Sequence, residues 1–407
     1  MRKNKFFKIL LATMILIVTF IAGHENPEII NNTKKLFLTF NNLDKKSAKQ
    51  KTQKKEAVKF ETVIDANSFK FRYENILSFE EKTASLIFED TKADSYKIFT
   101  QSGFLIDKKK QKLNMPENFY TDQDGGIKSA FKIDDDYYVL FSQKEGNCFF
   151  ASIIKLANKE KIIKSKCIPD SQNINFAGLG GAYIFKDDKL LISIGTPTHI
   201  SDVIDLLSQN EDSIFGKIIS FEIEDLKKKN QKVEYDYFSR GHRNPQGLVK
   251  YKTKIFSLEH GPQGGDELNE IVKNSNYGWP KSSLGTRYND GKSFSRSHEK
   301  LGYKGPIYTF LPAVAPSALN KCPEELSGYY EGMICLIGLS LKEMSLFIFL
   351  LNENNSNLIN IEKIKLDKRL RHFGLTPQGD LFVDDDGYFF FTSDTYGLFK
   401  GKFSDFR

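Results

Sequence analysis

The chain has 407 residues and a formal net charge of +7, with 40% hydrophobic and 27% charged residues. This is enough apolar surface for a sizeable core, which excludes a chain disordered through its bulk. Acids and bases are interspersed everywhere except in one short lysine run, which excludes nucleic-acid binding as the main role.

At the N-terminus, Met1 to Lys5 is basic, and Phe6 to Ala22 is apolar apart from Lys8 and two threonines. The pattern predicts a secretory signal or an uncleaved signal-anchor helix over 1–23. The apolar stretch is short for a span, which needs roughly 17–25 residues, yet no clean small-residue cleavage site follows. An uncleaved anchor is the favoured reading. It makes the membrane a partner and places the rest in the periplasm or on the extracellular side. Residues 24–57 are polar and basic; Lys45 to Lys55 carries six lysines and no acid, and reads as a solvated tether.

From about Phe60 the pattern changes to short apolar runs closed by turn residues. Ala130 to Ile133 precedes an Asp turn, and Tyr137 to Phe141 and Phe149 to Ile154 follow. The 35 Phe and 17 Tyr suit pleated surfaces, where flat rings pack well. Only Val203 to Leu207 and Glu222 to Lys229 read as short helices or turns. Three stretches repeat a strand–turn–strand plan: Ile184 to Gly195, Leu248 to Gly261 and Leu375 to Gly387. Residues 58–407 divide into roughly six units at a repeat of about 40–60 residues, predicting an all-β, six-bladed β-propeller. A two-domain β-sandwich is the alternative from pattern alone. Cys148, Cys167, Cys322 and Cys335 fit no metal-binding spacing. Cys148 and Cys167 are candidates for pairing across neighbouring strands, with free buried thiols equally compatible.

Chemistry concentrates in three nearby motifs. Gly241 to Leu248 reads GHRNPQGL, Glu259 to Asn269 reads EHGPQGGDELN, and Asn274 to Pro280 carries the sole tryptophan, Trp279. Arg243 offers paired donors that match a carboxylate, and Asn244 and Gln246 both donate and accept. The Gly261-Pro262 step holds carbonyls in a turn, and Asp266 and Glu267 add carboxylates. Such oxygens are what a hard cation such as calcium takes.

In this order and spacing the motifs resemble those of the soluble quinoprotein glucose/sorbosone dehydrogenases, aldose sugar dehydrogenases included. Weaker likeness extends over 125–394: Gly180 to Gly195, Ser208-Gln209 with Gly216-Lys217, Ala315 to Ser317, and Arg369 to Arg371 with Thr376 to Phe382. The resemblance implies a six-bladed propeller, pyrroloquinoline quinone and calcium as cofactors, and a sugar or alcohol substrate with an electron acceptor. It implies that Arg243, Asn244, Gln246, Lys342, Arg369 and Arg371 hold the quinone. His260 and Asp266 line the same mouth, Gly261 and Pro262 offer carbonyls to a catalytic calcium, and Glu267 and Tyr277 lie near a second calcium. One departure stands out. The family's catalytic histidine opens an H-x-G-G element that here reads Gly178-Leu179-Gly180-Gly181, so Gly178 stands where the base belongs. His199, beyond the next strand, is a weak substitute; His298 and His372 are no better placed. Two functions follow: a quinoprotein oxidoreductase using another base, or a non-catalytic propeller that binds a sugar, cofactor or protein partner.

Overall fold

A computed structural model describes residues 61–172, 174–197, 202–228, 232–294 and 297–407. The expected leader (1–23), the tether (24–57) and His199 lie outside the described residues.

The described chain is mostly β and forms several sheets. It begins with β1 (Thr62–Asp65) and β2 (Lys70–Leu77). An antiparallel run follows: β3 (Thr83–Phe88), β4 (Tyr96–Thr100), β5 (Phe104–Ile106) and β6 (Lys110–Lys112). The next comprises β7 (Ile127–Ile133), β8 (Asp136–Glu145), β9 (Cys148–Lys155) and β10 (Glu160–Lys164), with β11 (Ile168–Pro169) pairing on β9. Then come β12 (Gly180–Lys186), β13 (Lys189–Ile194), β14 (Lys217–Glu222) and β15 (Asp236–Arg240). Two more runs are β16 (Pro245–Tyr251) to β19 (Tyr308–Phe310), through β17 (Lys254–Glu259) and β18 (Asp266–Glu270), and β20 (Pro316–Lys321) to β23 (Leu358–Lys365), through β21 (Met333–Ser340) and β22 (Ser345–Asn352). The last joins β24 (Leu370–Leu375), β25 (Phe389–Ser393) and β26 (Gly397–Ser404), and β2 completes it by pairing antiparallel with β26.

The first strands of successive runs pack side by side in the order β3, β7, β12, β16, β20, β24. The series then returns to its start: β24 pairs parallel with β3 through Gly374↔Leu86 and Leu375↔Ile87, which merges two runs into one nine-stranded sheet. Apolar faces of neighbouring runs supply the core. Phe131, Tyr138, Leu140 and Ile153 of the second run pack on Tyr183, Leu190, Ile192 and Phe221 of the third. Leu258 and Leu268 likewise meet Leu336 and Phe349. Each fully buried side chain of this size contributes about 1.5–3 kcal/mol, so the interfaces between runs hold the fold together. Strands β21 and β22 are buried along almost their whole length, as their unbroken apolar sequences demand.

The expected helices form as α1 (Asp202–Asp205) with a following 3₁₀ turn at Leu206–Ser208, and as α2 (Ile223–Lys227). Of the three strand–turn–strand repeats, 184–195 and 248–261 are hairpins. The third is not: residues 376–388 make only isolated bridges, Leu375↔Leu381 and Val383↔Phe389, between β24 and β25. Pro377, Gly379 and the Asp384-Asp385-Asp386-Gly387 stretch supply turns where strand pairing would need a continuous ladder. The cysteines resolve into two disulfides, Cys148–Cys167 and Cys322–Cys335.

Candidate active site

The three motifs meet at the ends of β15 to β18. Gly241, with φ 76, follows β15, and a Cβ there would lie 2.1 Å from Asn276 Oδ1. A glycine is therefore what lets the two loops touch. The Tyr277 and Trp279 amides donate to the carbonyls of Arg240 and Gly241, both at 2.9 Å. Asn276 and Gln209 exchange amide hydrogen bonds at 2.8 and 3.1 Å. The NYGWP loop is thereby tied to the GHRN loop and to the turn after α1.

Arg243 is half-buried. Its guanidinium lies 5.3 Å from the Trp279 ring and 6.0 Å from that of Tyr288, and Nη1 donates to the His260 carbonyl at 3.4 Å. Among the described residues no carboxylate lies in salt-bridge range of it. Asn244 and Gln246 point elsewhere. Asn244 Oδ1 accepts from the Gly180 amide (3.0 Å) and from Gln246 Nε2 (2.8 Å), and its Nδ2 donates to the Ala177 carbonyl (3.3 Å). Both brace the turn that contains Gly178, a 3₁₀ turn at Phe176–Gly178.

The Gly261-Pro262 loop is shaped by Asp266, whose oxygens are fully engaged. Oδ1 accepts from the Gly261 amide at 2.9 Å, and Oδ2 accepts from the Val314 and Ala315 amides, both at 2.7 Å. Among the described residues no donor reaches the Gly261 or Pro262 carbonyl, so these oxygens stay available to a cation. His260 Nε2 meets the Pro316 carbonyl at 2.6 Å, and burial pushes its imidazole below the usual range, with Asp266 opposing and Arg243 assisting. A histidine held neutral and bonded to a carbonyl donates; it has no Nε2 lone pair left to take a proton.

Beneath the loops lies a buried polar cluster. Glu259 meets His242 Nδ1 at 3.2 Å, accepts from the Arg243 amide at 3.1 Å, and accepts from Asn269 Nδ2 at 2.8 Å. Asn269 also donates to Glu267 at 3.1 Å, while its own Oδ1 has no partner among the described residues. His242 stacks on Tyr277 with 4.5 Å between centroids. Burial first, then the Glu259 charge, raises the Glu267 carboxyl to about 8. Two facing acids and an orphaned amide oxygen, all buried, form a pocket short of positive charge.

A second set of charges comes from distant strands. Asp394 accepts from Arg371 Nε and Nη2 at 2.8 and 2.6 Å, with Arg369 Nε 3.5 Å away. Burial would raise the Asp394 carboxyl, but the Arg371 hydrogen bonds outweigh it and hold it low. Lys342 is exposed, with no ion pair among the described residues. Asp205 accepts from Trp279 Nε1 at 3.2 Å, and burial raises its carboxyl to about 6 against the pull of Arg243. Lys82 pairs with Asp124 at 3.0 Å, and Lys128 donates to the Asp124 carbonyl. His372 cannot serve as a base: burial, then Arg371, drives it to about 3. His298 is buried, its Nε2 has no partner among the described residues, and burial lowers it as well. Asp124, Lys128, Asp205 and Asp394 belong to none of the three motifs. The sequence around them carries no signal beyond a single charged residue in or near a strand or short helix, which many solvated positions share.

Arg243 and Lys342, which make no ion pair among the described residues, and the Asp394-paired Arg369 and Arg371 supply positive charge, and the Gly261 and Pro262 carbonyls are free to take a cation. Among the described residues no three His, Cys, Asp or Glu side chains gather as a metal cage, so a cation here would rest largely on carbonyl oxygens. The chain is 32% identical to an uncharacterized protein of Synechocystis (slr1608) over 213 residues, covering 49% of this chain and 51% of the relative. It is 27% identical to the aldose sugar dehydrogenase YliI of Escherichia coli over 192 residues, covering 44% of this chain and 50% of that one. It thus spans about half the length of the curated relatives it matches. Among solved structures, the apo soluble aldose sugar dehydrogenase of E. coli superposes with a TM-score of 0.64 at 19% identity, covering 82% of this chain and 99% of that one. The PQQ-bound aldose sugar dehydrogenase of Streptomyces coelicolor does so with 0.53 at 17%, covering 83% and 100%. Both likenesses concern the fold. The model of the glucose/sorbosone dehydrogenase family matches residues 102–389, and with more than half of its length so matched the chain belongs to that family.

Proposed function

We propose that this protein is a pyrroloquinoline quinone- and calcium-dependent oxidoreductase that oxidises a sugar or other alcohol outside the cytoplasm and passes electrons to an acceptor. Its six antiparallel runs are read as the blades of a six-bladed propeller spanning 58–407; the cyclic packing of their first strands supports this. Two disulfides support export, since such bonds persist in oxidising compartments. The proposed leader or anchor at 1–23 and the tether at 24–57 would hold the catalytic unit at the membrane.

The observation that carries the reading is the Arg243 guanidinium, over the Trp279 ring and with no carboxylate in salt-bridge range among the described residues, beside the open carbonyls of Gly261 and Pro262. The residues fit the cofactors. Arg243, Lys342, Arg369 and Arg371 supply positive charge for a tricarboxylate, and Gly261 and Pro262 supply oxygens for calcium. Glu267 and the Tyr277 segment are proposed for a second calcium, where the cation-poor pocket favours one. Once bound, the quinone accepts hydride and calcium acts as Lewis acid. Asn244 and Gln246 keep the Gly178 turn in place, Asp266 sets the Gly261 carbonyl, and Trp279 shields the Arg243 face from water.

A second reading rests on Gly178, which cannot accept a proton: a propeller that binds cofactor or sugar without turnover. The deciding experiment adds the quinone and calcium to the purified protein and follows thermal unfolding, because a ligand of the native state alone must raise the midpoint. We expect a rise that Arg243→Ala diminishes; no shift at saturating cofactor refutes the proposal. Reduction of a dye across a panel of aldoses then separates the enzyme from the binder.

A further inference from the structure

We propose that the Lys128 amine, held at the Asp124 carbonyl beside the turn that carries Gly178, is the proton acceptor for the substrate hydroxyl. The proposal rests on the oxidoreductase reading given above and fills the vacancy left by Gly178.

The placement follows from five contacts. Lys128 lies on β7, whose packing on β12 is so close that a Cβ at Gly181 would meet the Lys128 carbonyl at 2.8 Å. Its Nζ donates to the Asp124 carbonyl. The Asp124 side chain accepts from Asn175 Nδ2 at 3.2 Å, and Asn175 caps the Phe176–Gly178 turn by accepting from the Ala177 amide at 2.8 Å. The Phe176 amide also donates to the Gln123 carbonyl at 2.9 Å. The amine is therefore linked through Asp124 and Asn175 to the turn that carries Gly178, which Asn244 also braces.

The environment suits the task. The residue is half-buried. It donates one hydrogen bond and makes no ion pair among the described residues. Burial first, then the Arg371 guanidinium and Lys82, push its ammonium down to about 7, with the Asp124 charge opposing. These are the charged groups facing it from the loop before β7, from β24 and from the loop before β3. A lysine in such surroundings keeps a neutral, basic fraction near neutral pH, which an exposed lysine lacks.

The step balances. The substrate C–H leaves as hydride, with its electron pair, to an ortho-quinone oxidant; the carbinol carbon becomes a carbonyl; the hydroxyl proton passes to Nζ, which becomes ammonium. The quinone is reduced by two electrons and the alcohol oxidised by two. Return of the proton to solvent past Asp124 and Lys82 resets the amine.

The first test needs neither cofactor nor turnover. Lysines of the whole protein are reductively methylated with ¹³C-formaldehyde and each dimethylamine is titrated by NMR, with Lys128→Met assigning the signal. We expect one resonance, absent in that variant, to titrate about 3 units below the others. A Lys128 signal titrating with the surface lysines overturns the proposal. In the second test, both Lys128→Met and Lys128→Arg are loaded with quinone and calcium. Each should keep the thermal shift of the parent and lose about 10²–10⁴-fold in dye-reduction kcat, along with the acid limb of the pH profile, because arginine keeps the charge but never deprotonates. A quinone-induced rise of the Lys128 titration by more than about 2 units would make it an anchor for a cofactor carboxylate and refute the base role. So would a pH limb that survives in Lys128→Met and disappears in Asp205→Asn. Absence of any thermal shift in the parent protein fails the oxidoreductase reading instead, while leaving the NMR titration to decide Lys128 separately.

Discussion

Asp266→Asn is the sharpest test of how the cation loop is built. The carboxylate is buried and takes three backbone amides, Gly261 at 2.9 Å and Val314 and Ala315 at 2.7 Å. A hydrogen bond to a charged acceptor contributes about 1.5–3 kcal/mol, against ~0.5–1.5 for a neutral one. In the best orientation the Asn oxygen keeps Val314 and Ala315 and loses roughly 1 kcal/mol at each as the charge disappears. Its NH₂ then confronts the Gly261 amide, orphaning a buried donor at a cost of ~1–3 kcal/mol. The sum is about 3–5 kcal/mol; the flipped amide would orphan two donors and cost more. Unfolding entropy near 2.1 cal/mol/K per residue over the unit Glu61–Arg407 makes each kcal/mol worth about 1.4 °C, so Tm should fall by about 4–7 °C. Calcium affinity should drop about 10–100-fold, because the Gly261 carbonyl loses the group that aims it. Scanning calorimetry and calcium titration check both. A variant with Tm within about 1 °C of the parent and unchanged calcium affinity would refute the claim that this carboxylate organises the loop.

Three further outcomes are expected. Glu267, raised to about 8 by burial and by Glu259, favours its protonated form in the fold. Its contribution to stability is therefore complete below the ordinary carboxyl range near 4.3 and is lost as pH climbs through about 8, so calcium should raise Tm more at about pH 8 than at about pH 6. Glu267→Gln should flatten that pH dependence, and an identical pH profile in the variant would remove Glu267 as its source. Replacing both Cys148 and Cys167 by serine opens a loop with a sequence separation of 19 and should cost about 3 kcal/mol, read as a lower urea midpoint; an unchanged midpoint counts against a stabilising bridge. Gly178→His places an imidazole in the 3₁₀ turn at Phe176–Gly178 and should raise aldose oxidation by the cofactor-loaded protein. An equal rate in that variant would dissociate Gly178 from the family's base position.

Much of the architecture was legible because strands announce themselves locally. The alternation and turn residues of 127–155 and 180–194 are short-range features, and hairpins joined by two or three residues need nothing else. Where the pattern misled, at 375–387, the same apolar–turn–apolar plan was used to make bends, and only long-range pairing distinguishes the two. The site divides in the same way. That the three motifs meet was legible because they cluster within some 40 residues of chain. The division of labour among them was not. Asn244 and Gln246 turn out to brace the Gly178 turn, and Asp266 spends both oxygens on amides, one pair of them at Val314 and Ala315.

By itself, then, the sequence determined the all-β character and the three motifs between Gly241 and Pro280, with Gly178 where the resemblance expects a histidine, since each is written in neighbouring residues. Only the tertiary structure decided which side chains are saturated and which are left open. It brought Lys82, Lys128, Arg371 and Asp394 to one mouth from opposite ends of the chain, and it buried Lys128 and Glu267 enough to move their protonation. Desolvation and charge proximity are properties of three-dimensional surroundings, and no spacing along the chain encodes them.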